Sequence, residues 1–215
     1  MKYVRDEAVR YMGAKKGDQA AGVLADVAYL KLRNEVRAKN CWQLFDCAVD
    51  ATGVTLPVNG MRFASKNLAR HLQGCRQLVV LAATLGSNAD IVLRRLSLLN
   101  VAEAAAAQAV CAALIESYCD EVQLEIAAAV QSLHLKARFS PGYGDWQLQD
   151  QRKLLALVDC GKKIGLTLTD GYMLTPVKSV TAVIGLTAAG VEKIVKCQSC
   201  AKQDCEFRRG CKDEF

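Results

Sequence analysis

An arginine, a tyrosine and a Pro-Gly turn fall together in Arg138-Phe139-Ser140-Pro141-Gly142-Tyr143-Gly144. Pro141 has no backbone N–H to donate, and Gly142 and Gly144 accept backbone angles that a side chain forbids, so the chain turns sharply here. Arg138 offers a planar fork of donors suited to a carboxylate or phosphate, and Tyr143 offers a flat face with a polar tip. Together they define a candidate small-anion site. A second loop, Leu168-Thr169-Asp170-Gly171-Tyr172-Met173-Leu174-Thr175-Pro176, puts Tyr172 at another glycine-containing bend. Different chemistry ends the chain, where Cys197, Cys200, Cys205 and Cys211 stand among Lys196, Lys202, Arg208, Arg209 and Lys212. Four thiolates so crowded can bind zinc tetrahedrally or hold an iron–sulfur cluster, and the neighbouring cations would lower the thiol pKa values. Two disulfides, or four reduced thiols, are the other readings of the same spacing.

Arg-x-x-x-Gly-Tyr-Gly, followed by Leu-Thr-Asp-Gly-Tyr-Met-Leu-x-Pro-x-x-Ser-Val, resembles the activation domain of cobalamin-dependent methionine synthase. The resemblance spans about Val79 to Gly185, includes Ala83-Thr84-Leu85-Gly86 before a helix, and rests on the order and spacing of the two motifs. It implies an α+β fold, a curved antiparallel sheet with flanking helices. It also implies that S-adenosylmethionine is bound and that cob(II)alamin on a partner chain is reductively remethylated in methionine biosynthesis, within a methyltransferase system. By the same resemblance Arg138 would pair with the methionine carboxylate, while the Ser140 backbone and the Tyr143 ring frame the adenosine. Tyr172 is the candidate for the opposite wall and Glu116 for a further polar contact. The implied partners are a cobalamin-binding methionine synthase subunit and a flavodoxin- or ferredoxin-like electron donor.

Two departures matter. The His-Pro-containing and Tyr-rich stretches that follow in the longer family domain are not found here, and the family's early aspartate is not assigned to a residue. No Asp-x-His-x-x-Gly signature or cobalamin-binding module is present either, so the expectation is a stand-alone activation subunit acting in trans. The alternative is a metal or iron–sulfur electron-transfer protein that docks on a corrinoid protein.

The elements that must position these residues follow from periodicity. Residues 3–13 and 18–39 read as helices, with Asp18 as an N-cap and Val23, Leu24, Val27, Leu30 and Val36 as the apolar side of the second. Alternation from Trp42 to Leu56 around Thr52-Gly53 predicts a hairpin, and Ser65 to Leu72 a short helix. Leu78 to Ala83 is an unbroken apolar run of strand length, followed by a turn where Ser87 or Asn88 can cap a helix to Leu99. Val101 to Leu133 is the longest helix, with Leu114, Tyr118, Val122 and Ile126 as its stripe and Glu116, Asp120, Glu121 and Glu125 read as its wet face. Strands are expected over His134–Phe139, Ile164–Leu168 and Ser179–Ile184, and a helix from Gln149 to Leu157 stopped by Gly161. His71 and His134 read as surface or packing residues rather than ligands.

Composition narrows the class. The 215 residues are 52% apolar and 23% charged, an ordinary globular balance. This divides into an activation-like domain with a helical N-terminal part over 1–195 and a Cys-rich tail over 196–215. A net charge of +6 without a dense basic stripe argues against nucleic acid and fits an anionic ligand or acidic partner. The charged N-terminus and the lack of a long uncharged apolar run predict a cytoplasmic protein outside the membrane. Cys41, Cys47, Cys75, Cys111, Cys119 and Cys160 are scattered in apolar segments and read as small core residues of a reduced protein.

Overall fold

The structure, a computed structural model, describes residues 1–130 and 133–188. The Cys-rich segment lies outside the described residues. In chain order the elements are α1 (Arg5–Tyr11), α2 (Gln19–Leu32), β1 (Lys39–Asp46), β2 (Ala48–Asp50), β3 (Gly53–Leu56), β4 (Met61–Ala64), α3 (Lys66–His71), β5 (Gln77–Thr84), α4 (Ser87–Leu99), α5 (Val101–Ala129), β6 (His134–Leu135), α6 (Gln151–Leu157), α7 (Cys160–Ile164), β7 (Thr167–Leu168), β8 (Leu174–Thr175) and β9 (Ser179–Thr187). The fold is mixed α+β, as expected. Its centre is a four-stranded antiparallel sheet in the order β1-β5-β9-β6.

Successive side chains of β5 point to opposite faces, and both faces are covered, which is why this strand reads as a continuous apolar run. Val79 and Leu81 meet Ile184, Val122 and Ile126 beneath α5. Leu78, Val80 and Ala82 face the other way, into a core with Phe63, Leu68, Trp146, Leu154 and Val183. The β2-β3-β4 sheet belongs to that second core. The N-terminal half of α5 instead packs against α1, α2 and α4 through Ala106, Ala107, Val110 and Leu114.

Several sequence expectations are corrected. The second helix stops at Leu32, and Lys39 already belongs to the edge strand β1. Asp18 caps it as expected, accepting from the Ala21 N–H at 3.0 Å. Its large apolar residues Val23, Val27 and Leu30 nevertheless face outward, while Ala21, Ala25, Ala28 and Leu32 are buried. Small side chains let it lie close to the Ala-rich α5, so volume at the contact decides the buried face rather than hydropathy. The hairpin at Thr52-Gly53 exists, but it joins β2 to β3, and residues 39–46 pair instead with β5.

Further along, α4 starts after Gly86, whose φ of 85° makes it the residue before the helix, so Ser87 and Asn88 are helical rather than capping. The helix expected to stop at Gly161 is already capped at Val158, Gly161 lies inside the next helix α7, and α7 ends at Gly165 with φ 69°. The strand expected over Ile164–Leu168 is therefore only Thr167–Leu168. The helix expected to reach Leu133 ends at Ala129, and the strand expected over His134–Phe139 is His134–Leu135 plus an isolated bridge from Phe139 to Val183.

Candidate functional site

The site is built over the first half of β9, where the short β6 stops covering its outer side. Phe139 exchanges backbone hydrogen bonds with Val183 at 3.0 and 2.8 Å, which fixes where the Arg138 loop leaves the sheet. The loop then closes on itself. The Tyr143 N–H donates to Ser140 O at 3.1 Å, the Trp146 N–H to Tyr143 O at 3.0 Å, and the Gly142 N–H to Trp146 O at 2.8 Å. Trp146 anchors it from below, fully buried, with its indole N–H on Asp150 at 2.9 Å and its ring edge-on to Phe63.

Asp145 ties the loop to a second element. Its carboxylate accepts from the Ser65 hydroxyl at 2.5 Å and from the Lys66 and Asn67 N–H groups at 2.8 and 3.1 Å, at the start of α3. These contacts, the Ser65 hydroxyl first, hold the Asp145 carboxyl below the ordinary carboxylate range. Gly144 makes the approach feasible: its φ is 56°, and a Cβ there would sit 2.3 Å from the Asn67 amide nitrogen. The Gly-Tyr-Gly of the motif thus serves the docking of the loop as well as its bend.

Arg138 meets α5. Its guanidinium reaches Glu116 at 2.9 Å, Asp120 at 2.8 Å and the Gln123 carbonyl oxygen at 3.1 Å. Those three residues follow one another at i, i+4 and i+7, so a single helix face supplies all the acceptors. Glu116 and Asp120, expected on the wet face, are bound by an arginine from a distant loop, whereas Glu121 pairs with the N-terminal amine. Arg138 is largely buried, at 11% exposure, while Glu116 and Asp120 keep 44% and 71%. Behind it, burial pushes the Cys119 thiol up to about 12, so that sulfur stays neutral and adds no charge to the cluster.

Beside this cluster lies a cleft of about 200 Å³. Glu116, Arg138, Ser140, Pro141 and Tyr143 form one wall, so four of the five residues singled out from the sequence as ligand contacts come together. Leu174 and the β9 residues Ser179, Val180 and Thr181 form the other, with Gln151 from α6. Tyr172 is not among the lining residues. With φ 61° it occupies the bend between β7 and β8, and the Arg152 guanidinium lies 5.8 Å above its ring. Its carbonyl holds a lining residue, accepting from the Gln151 amide at 3.1 Å, while the Gln151 carbonyl accepts from the Thr181 hydroxyl at 3.2 Å.

Gln151, Thr181 and Asp145 were not picked out from sequence. Asp145 carried a signal, an Asp directly after a glycine turn, which often caps a helix, but here the helix is eighty residues earlier. Gln151 and Thr181 carried none, since their burial is created by the fold. The His71 ring lies against Phe139, with its Nε2 2.8 Å from Ala137 O. Among the described residues no group of His, Cys, Asp or Glu is arranged to hold a metal ion, and no helix is long and apolar enough to cross a membrane.

The family model for the vitamin B12-dependent methionine synthase activation domain matches residues 88–206, more than half of the chain. The chain belongs to this family. Its described site residues and part of the cysteine segment fall inside the matched range. Among solved structures, a crystal structure of the MetH reactivation domain bound to AdoHcy aligns with a TM-score of 0.63 at 12% identity. The alignment covers 87% of this chain and 75% of that one, and at this identity it shows a shared fold. No curated protein matches the chain.

Proposed function

We propose that the cleft binds S-adenosylmethionine and presents its methyl group to cobalamin held by a partner module of methionine synthase. The observation that carries this reading is the Arg138–Glu116 pair in the cleft wall, with Asp120 bound to the same guanidinium beside it. One guanidinium and two carboxylates leave the cluster net negative. S-adenosylmethionine carries a carboxylate, an ammonium and a sulfonium, and is net positive. A purely basic pocket would suit an anion; this one suits a zwitterionic amino-acid end beside a cation. Glu116 and Asp120 share Nη2 and Gln123 takes one Nη1 N–H, which leaves the Nε N–H and the other Nη1 N–H, on different edges, one of them for the ligand carboxylate. Glu116 accepts from the ligand ammonium, and Tyr143, half exposed at the rim, offers its ring to the adenosine.

The chain's own task is orientation. A rigid loop, docked by Asp145 and Trp146, holds the donor so that its methyl points out of the open side of the cleft. Cobalamin on the partner supplies the methyl acceptor. A flavodoxin- or ferredoxin-like donor would supply the electron, and the net charge of +6 would speed encounter with such acidic proteins. The test mixes the chain with cob(II)alamin-loaded methionine synthase lacking its own activation domain, a low-potential reductant and S-adenosylmethionine. Methylcobalamin should form, by absorbance, only when the chain is added; equal formation without it rejects the reading.

For the C-terminal segment we propose one zinc ion or iron–sulfur cluster shared by Cys197, Cys200, Cys205 and Cys211, on the crowding of these thiols among cations. Anaerobically purified protein should carry close to stoichiometric metal, lost on truncation before Cys197. Metal-free protein overturns it.

A further inference from the structure

Six buried cysteines in the described chain look alike in sequence, yet two of them differ from the rest in geometry. Cys41 on the edge strand β1 and Cys160 at the start of α7 place their sulfurs 3.8 Å apart, across 119 positions of chain. Nothing in the cleft uses them. Burial pushes the thiols of Cys47, Cys111 and Cys119 up to about 12, as expected of inert core residues. Cys41 goes the other way: hydrogen bonding with Cys160, helped by the Lys163 ammonium, holds its thiol below the ordinary value, while Cys160 is raised by the same contact. For Cys41 the contact with Cys160 outweighs the burial and the Asp159 charge that act the other way, which sets this thiol apart from the other buried ones.

We propose that Cys41 and Cys160 form a redox-active dithiol site that a hydroperoxide converts reversibly to a disulfide. The Cys41 thiolate attacks one peroxide oxygen and the O–O bond breaks, giving a sulfenic acid and hydroxide, which takes up the proton Cys41 released to become the first water. The Cys160 sulfur then attacks the Cys41 sulfur, displacing hydroxide and losing its proton to it. Two thiols and one hydrogen peroxide become one disulfide and two waters, and the protein sulfurs give up two electrons. The sulfurs must close from 3.8 Å to a disulfide's ~2 Å, and α7 and β1 already lie in contact. Cys41 is 7% exposed and Cys160 fully buried, so bulky disulfides are screened out and the oxidant must be as small as hydrogen peroxide.

The bond would staple β1 to the α6–α7 segment, whose first residue, Gln151, forms part of the cleft wall. Closing so long a loop restricts the unfolded chain strongly, and Tm should rise by about 5 °C or more. The experiment treats the full folded chain with a stoichiometric excess of hydrogen peroxide, traps free thiols under denaturing conditions, and digests with trypsin without reductant. The expected product joins the peptide 40–62 to the peptide 154–162, with fragment ions assigning the bond to Cys41 rather than Cys47, and vanishes with dithiothreitol together with the Tm gain. Cys160→Ala should leave Cys41 as a sulfenic or sulfinic acid. If Cys41 and Cys160 both stay alkylatable in the treated parent protein, or Cys41 is over-oxidised there with Cys160 untouched, the site is not a redox dithiol. This readout needs no variant to fold and does not depend on the cleft binding any ligand.

Discussion

Of the described arginines that hold carboxylates, Arg62 and Arg138 reach the most acceptors, and of these two only Arg138 stands at the cleft. Arg62 forks onto both oxygens of Asp50 at 2.8 and 3.0 Å and also reaches Thr52 and Thr55, clamping the β2-β3 turn. That geometry holds the Asp50 carboxyl well below its usual range, yet both partners lie in water, where screening and side-chain entropy cancel most of the gain. Arg138 has the poorer fork, one terminal nitrogen shared by Glu116 and Asp120, but its guanidinium is buried against α5. Ideal pairing marks the structural arginine, and incomplete pairing under burial marks the one with donors left for a ligand. The lesson is that an ion pair's burial and its unused valences locate function better than its distances do.

The widest separation of the two should come from deletion. Arg138→Ala removes a charged hydrogen bond to the ligand, worth about 1.5–3 kcal/mol, so S-adenosylmethionine affinity should fall roughly ten- to a hundredfold by calorimetry. It also leaves Glu116 and Asp120 facing one another. Because both carboxylates are well exposed, the accompanying loss of stability should stay near 1 kcal/mol in urea unfolding. Arg138→Lys keeps the charge without the fork and should recover only part of the affinity. Unchanged binding by Arg138→Ala would remove the contrast altogether.

Next in size is the docking of the loop that carries Arg138. Gly144→Ala must place a Cβ on the Asn67 amide in a left-handed conformation, which should cost about 1–3 kcal/mol and weaken ligand binding by displacing Tyr143. Asp145→Asn tests the same joint by pH. The folded carboxyl is held below its unfolded value, so its contribution is complete above about pH 4 and disappears as pH falls through the folded pKa. The parent should lose stability on acidification through that window more steeply than Asp145→Asn, by thermal melts from about pH 5 down to about pH 2. Parallel curves would show that Asp145 does not hold the loop.

Local chemistry was legible in the sequence and long-range chemistry was not. The bend at Pro141-Gly142, the Asp18 cap, the buried strand β5 and the stripe on α5 each follow from neighbouring residues, and each is present. The outward stripe of α2 was misread because the contact with α5 selects small residues, a choice made by the partner helix. Glu116 and Asp120 read as a wet face because nothing within α5 announces an arginine arriving from a loop. For the same reason Gln151 and Thr181 were invisible: they line the cleft only once β9 and α6 are brought together. The family motifs named the two loops, but Tyr172, the conspicuous residue of the second, contributes its carbonyl rather than its ring.

The smallest expected effect falls on the other arginine, and it decides how the largest is interpreted. Arg62→Ala should leave S-adenosylmethionine affinity unchanged in calorimetry, because Asp50, Thr52 and Thr55 lie on the β2-β3 hairpin and none of them lines the cleft. Its Tm should move no more than that of an ordinary surface substitution, since water replaces each lost donor. Equal losses of affinity in Arg62→Ala and Arg138→Ala would mean that binding responds to general loosening of the fold rather than to a guanidinium in the cleft. A loss confined to Arg138→Ala, with both variants melting close to the parent, would instead assign the effect to a donor that Glu116, Asp120 and Gln123 leave unused.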